Sequence, residues 1–222
     1  MELKIKLWGV FTLCCVALPQ CCWAFTYSTR SYTATSTDER YVLVLISPRF
    51  SVEEEAKYAF DELNRKEILD LRSRYHESGL YRNDGHAQPL WTLEKPGYLH
   101  PPVLVANDGK HLVNFHDVGS RVSDPVLDFF EEGRLTRSYA RRRLIDFPFL
   151  LPWRVGPTRP WRASYALDDA RGRLTVWTKL GDRFVFDVAT GQMLSSFRPA
   201  RLAALTVLAC LLGVTYCLKK RS

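Results

Sequence analysis

Between residues 25 and 200 this chain has no cysteine. All six cysteines (Cys14, Cys15, Cys21, Cys22, Cys210, Cys217) lie in the two apolar ends. The middle therefore cannot use disulfides, whatever compartment it meets, and must be held by its own core. It also lacks an Asn-x-Ser/Thr sequon, since Asn64, Asn83, Asn107 and Asn114 all miss the pattern. For an exported domain, both absences favour a bacterial envelope over a eukaryotic secretory pathway. No Gly-x-Ser-x-Gly elbow occurs, and glycine appears singly, so neither a hydrolase elbow nor a phosphate-cradling loop is present. A third long apolar run is absent too, which excludes a polytopic transporter.

What is present is a globular composition. Of 222 residues 46% are hydrophobic and 13% aromatic, which excludes intrinsic disorder. The net charge is +7, but Lys4, Lys6, Lys219, Lys220 and Arg221 in the ends supply more than half of that excess. The middle is only mildly basic, and its charge does not call for a nucleic-acid partner.

The ends read as targeting and anchoring segments. Lys4 and Lys6 precede the apolar stretch Leu7 to Leu18, and Ala24 closes a small-residue site, so residues 1–24 are expected to be a signal peptide. If uncleaved, the same segment would serve as an anchor. Leu202 to Leu218 carries no charge and as a helix covers about 26 Å of a roughly 30 Å hydrocarbon core. The expectation is a transmembrane helix over 199–218 and a basic cytoplasmic tail over 219–222. Residues 25–198 then form an extracytoplasmic domain under either treatment of the N-terminus.

Within that domain, residues 25–40 read as a lead-in strand or a loose arm. Tyr41 to Ile46 is a continuous apolar run, as in a strand buried on both faces. A long helix is expected over about 52–75, opened by the capping box Ser51/Glu54. Val52, Ala56, Ala59 and Leu63 would line its first apolar face; Ile68, Leu71 and Tyr75 would line a second after a bend near Asn64, and Gly79 would end it. Glu53–Lys57, Asp61–Arg65, Glu62–Lys66 and Asp70–Arg74 offer ion pairs at i,i+4. Thereafter come short strands with turns at Asn83-Asp84-Gly85, Asn107-Asp108-Gly109, Gly133, Gly172, Gly181 and Gly191. Phe184 to Gly191 looks like the outer strand of a propeller blade, and Leu90-Trp-Thr faintly echoes Val176-Trp-Thr. A closed propeller needs at least four blades of about 40 residues, which do not fit. The fold class is therefore mainly β (α+β): an antiparallel meander or sandwich of propeller-like hairpins with one long helix on one side.

The ordered segments Ser78-Gly-Leu-Tyr-Arg-Asn-Asp-Gly85, Pro89-Leu-Trp-Thr92, Asn107-Asp-Gly-Lys-His-Leu-Val113, Phe129-Phe130 to Tyr139 and Phe184 to Gly191 carry a resemblance. Over about residues 41–194 the chain resembles a group of uncharacterised bacterial envelope proteins found, for example, among planctomycetes. The resemblance implies no activity.

Catalytic chemistry finds little support. His111 and His116 lie on one expected strand and face opposite sides, so they do not share a metal there. His100, His116 and Asp117 would need the fold to bring them together. Asp168-Asp169 and Glu131-Glu132 flank glycines and read as turns. No catalytic residue, cofactor or metal site is expected, and the chain reads as a non-enzyme. The most distinctive segment is basic and aromatic: Arg141, Arg142 and Arg143, then Phe147, Phe149, Trp153 and Arg154. Residue types favour a Pro-rich connection that buries Phe147, Phe149 and Trp153. The other reading is a membrane-interface loop, with arginines on anionic lipid head groups. The functional expectation is a membrane-anchored binding or structural domain whose partners are the membrane, anionic lipid or another envelope protein. Two alternatives stand beside it: a weak hydrolase with a loop-assembled site, and a surface protein whose C-terminal tail is a processed sorting signal.

Overall fold

The computed structural model describes residues 31–57, 59, 61–95, 99, 101–116, 123–146, 161–199, 201–203, 205, 206 and 210. Over these residues the chain is mainly β, in three antiparallel four-stranded sheets. Sheet 1 holds β1 (Tyr32–Thr35), β2 (Tyr41–Leu45), β3 (Gly79–Arg82) and β4 (Trp91–Thr92). Sheet 2 holds β5 (Val103–Val105), β6 (His111–Phe115), β7 (Pro125–Glu131) and β8 (Arg134–Ala140). Sheet 3 holds β9 (Arg162–Asp168), β10 (Arg173–Thr178), β11 (Arg183–Asp187) and β12 (Met193–Phe197). In each sheet, spatial neighbours are also neighbours in sequence, so each is a meander.

Side-chain alternation stacks the sheets. On β2, Leu43 and Leu45 pack with Leu80, Val105, Leu112 and Phe130, which joins sheet 1 to sheet 2. The intervening Val42 and Val44 pack on Tyr75, Tyr81 and Leu71, which places a helix against the other face. That accounts for the unbroken apolar run at Tyr41 to Ile46. Sheet 2 is divided the same way: Leu112 and Phe130 face sheet 1, while Val113, Phe115 and Phe129 meet Leu174, Val176, Phe184 and Phe186 of sheet 3. The layer order is helix, sheet 1, sheet 2, sheet 3. The last face of sheet 3 carries Thr175, Trp177 and Val185, none of them buried.

Two aromatic side chains and two glycines close the seams. Trp91 Nε1 donates to Gly109 O at 2.9 Å between sheets 1 and 2. Tyr139 Oη donates to Gly191 O at 2.8 Å and accepts from Met193 N at 3.1 Å between sheets 2 and 3. Gly133 (φ +83°) sits so close to β4 that a Cβ would lie 2.2 Å from Thr92 O. At Gly191 (φ +64°) a Cβ would lie 2.9 Å from Arg137 Cβ and 3.0 Å from Phe129 Cγ. Both turns reach across onto the neighbouring sheet.

The helical region departs from expectation. It is two helices, α1 (Val52–Lys57) and α2 (Glu62–Arg74). The capping box forms, with Ser51 N donating to Glu54 Oε2 at 2.9 Å and Glu54 N to Ser51 Oγ at 3.2 Å. Asp61 then caps a second start, accepting from Asn64 N at 2.7 Å. That new cap rotates Leu63 outward to 69% exposure, so it does not join a buried stripe. Gly79 does not stop the helix; α2 ends at Tyr75 in extended backbone, and Gly79 opens β3. None of the four expected i,i+4 pairs closes among the described residues; Arg65 pairs with Glu62 at 3.7 Å instead.

Glu55 fastens this region to sheet 1. It is 1% exposed. It accepts from the backbone N of Ser31, from Ser31 Oγ at 2.7 Å and from Arg72 Nη1 at 2.8 Å. Three donors offset the cost of burying the charge.

Two further expectations are corrected. Phe184 to Gly191 is not an outer strand, because β11 lies inside sheet 3 and β12 forms its edge. The Trp-Thr echo joins unlike places, since Trp91 is on edge strand β4 and Trp177 on inner strand β10. A structural repeat lies elsewhere. Asp168 accepts from Arg171 N before left-handed Gly172, and Asp187 accepts from Thr190 N before left-handed Gly191.

Candidate functional site

The basic segment begins where β8 runs into α3 (Arg141–Leu144), one turn closed by Ile145 N donating to Arg141 O at 2.9 Å. Arg141 N donates to Asp124 O at 3.0 Å. Arg141, Leu144 and Ile145 are buried at 2%, 0% and 2% exposure, so this turn is pinned into the core. Arg142 and Arg143 are exposed. Of the residues singled out in the sequence, Arg141 therefore faces inward and is removed from any lipid-facing set. Phe147, Phe149, Trp153 and Arg154 lie outside the described residues.

The exit from sheet 3 meets this turn. Arg198 follows β12 and donates from Nη1 to Asp146 Oδ1 and from Nη2 to Arg143 O, both at 2.8 Å. Its guanidinium also lies 5.0 Å from the centroid of Phe184. Pro199 comes next, and a Cβ built on Gly181 would stand 3.6 Å from its Cγ. The β10–β11 turn thus touches the same point. Asp182 in that turn is 2% exposed; burial pushes its carboxyl up, Asp146 adds to the shift and Arg198 opposes it.

Around this junction the exposed cations are Arg142, Arg143, Lys179, Arg183 and Arg201. Apolar residues stand in the open beside them: Phe197 at 57%, Leu202 at 56% and Leu205 at 55% exposure. Residues 199, 201–203, 205, 206 and 210 are helical, with Leu202 N donating to Arg198 O at 3.1 Å. Among the described residues no helix is long and apolar enough to cross a membrane. Most of the span expected at 199–218 lies outside them, as do the signal segment 1–24 and the tail 219–222.

A second cluster lies inside sheet 2. His116 Nε2 is 2.6 Å from Asp128 Oδ2 and 2.9 Å from Asn114 Nδ2, and Trp161 Nε1 donates to His116 O at 3.4 Å. The antiparallel register Asn114↔Asp128 makes the contact; His100 and Asp117, the other members of the expected set, lie outside the described residues. An imidazole on a carboxylate is part of a hydrolytic triad. Here His116 is 6% and Asp128 0% exposed, so the pair is buried. His111 belongs to another place, with Nδ1 2.5 Å from Asp108 Oδ2 in the β5–β6 turn. Among the described residues no three His, Cys, Asp or Glu side chains gather as for a metal.

An open cleft of about 760 Å³ lies between β1 and α2, lined by Thr33, Thr35, Asn64, Glu67, Arg74 and Asn83 among others. No sequence motif marked it, because its walls come from β1 and α2, which are separate in sequence. No family model matches the chain, and no curated protein or solved structure is found to be similar to it.

Proposed function

We propose that the chain is a single-pass membrane protein whose β domain stands outside the cytoplasm and works by binding or structural contact, without catalysis. The observation that carries this reading is the junction at Arg198. An apolar C-terminal run bounded by Lys219, Lys220 and Arg221 leaves the domain there. The side chain at that point is tied to Asp146 and to the carbonyl of Arg143. A flexible tether would need no such grip. Leu202 and Leu205 stand exposed immediately beyond it, as residues destined for lipid do. A bacterial envelope is the setting this reading favours, since the domain dispenses with both disulfides and sequons.

The test uses the full chain in cells. Alkaline carbonate should leave it in the membrane pellet, and protease added to spheroplasts should digest the domain. Extraction by carbonate, or protection from protease, would overturn the proposal.

A further inference from the structure

Resting on the anchored reading above, we infer that the junction end of the domain is itself a ligand surface, and that its ligand is an anionic phospholipid surface. Three separate pieces of chain converge there. Arg142 and Arg143 come from α3, Lys179 from the β10–β11 turn and Arg183 from the start of β11 just after it, and Arg201 from the helical stretch that follows Pro199. They are brought together by contacts already described: Arg198 on Asp146 and Arg143 O, and Pro199 against Gly181. Three acidic residues lie in the same place, and none of them is fully exposed. Asp146 is taken by Arg198, Asp182 is buried, and Asp124, whose carbonyl accepts from Arg141 N, is half-buried. Among the described residues the fully exposed charges named at this end are therefore all basic.

Geometry selects lipid over a soluble anion. The cations are exposed on three segments that meet at the point where the apolar run departs, and Phe197, paired across the strands with Arg183, is exposed beside them. An aromatic ring beside arginines and lysine at the root of an apolar helix fits the boundary between head groups and acyl chains. Each such cation near an anionic leaflet contributes about fivefold in binding. Because three segments of chain share the surface, contact would hold the domain at a fixed tilt.

The experiment places the full chain in lipid nanodiscs, one set of phosphatidylcholine alone and one of equal parts phosphatidylcholine and phosphatidylglycerol. Amide hydrogen exchange is read over residues 141–146 and 179–183. The expected result is exchange at least about fivefold slower in the anionic discs. At about 0.5 M NaCl, where screening shortens to a few ångströms, that difference should vanish. The triple variant R142E/R143E/K179E should lose it as well, while exchange over β2 and β3 stays unchanged. R142Q/R143Q/K179Q, which adds no new charge to a folded surface, should lose most of it. Equal exchange in the two lipid compositions, or protection that survives the glutamine variant, overturns the head-group contact. Failure of the chain to enter either kind of disc overturns the anchoring beneath it.

Discussion

The indole of Trp91, on the last strand of sheet 1, donates to the carbonyl of Gly109 in the first turn of sheet 2. The hydroxyl of Tyr139, on the last strand of sheet 2, does the same to Gly191 in sheet 3. In both, an aromatic side chain that is mostly apolar ends in a donor placed on a turn carbonyl. Successive sheets are latched by the same chemistry, and the turns must come close for the latch to shut.

Gly133→Ala should break one such approach. The new Cβ would meet the backbone oxygen of Thr92, and φ there is +83°. Backbone cannot swing aside as a side-chain end can, so a loss of about 2 kcal/mol or more is expected in urea denaturation. Gly172→Ala is the control: its φ is +59°, but nothing lies within 4 Å, so the cost should be smaller.

Glu55→Ala should cost about 3 kcal/mol, because it removes the acceptor of the buried Ser31 donors and the charge partner of Arg72, which keeps its bond to Phe50 O. Glu55→Gln keeps an acceptor and should cost less. Both are read as shifts in the denaturant midpoint at constant slope.

Asp182 gives a pH signature. Burial raises its carboxyl in the folded protein, so the native state prefers it protonated. The stability tied to that proton is fully present below the unfolded-chain pKa and is lost as pH rises through the folded one. Asp182→Asn should therefore melt above the wild type at pH near 8, and the gap should close in acid. A constant gap across that range would contradict the assignment.

Arg198→Ala should release α3. Loss of two bonds from a charged donor costs about 1.5–3 kcal/mol, and trypsin should cut faster after Arg142 and Arg143. Asp146→Asn leaves an acceptor for Arg198 and should accelerate cleavage less.

Much of the β domain was legible because it is local. Hairpin turns at Asn107-Asp108-Gly109 and Gly133 announced themselves through residues that tolerate positive φ, and the strands beside them followed. The capping box at Ser51 and Glu54 was equally visible. The break before α2 was harder, since it depends on Asp61 capping anew within a stretch whose ion-pair spacing favoured continuity. At the candidate site, the arginines could be found by charge, but their orientation could not. Arg141, Arg142 and Arg143 are alike in sequence, and only the docking of α3 on the core decides that the first turns in. The role of Arg198 rests on long-range contacts with Asp146 and the carbonyl of Arg143, which no local pattern announces.

Every sheet described here is drawn from one unbroken stretch of sequence, and within a sheet each strand after the first pairs with the strand made just before it. An emerging polypeptide would thus never wait for a distant partner before closing its ladders. Such a molecule can be threaded through a narrow conduit and assemble stepwise from its N-terminal side, each finished slab serving as the template on which the following one settles.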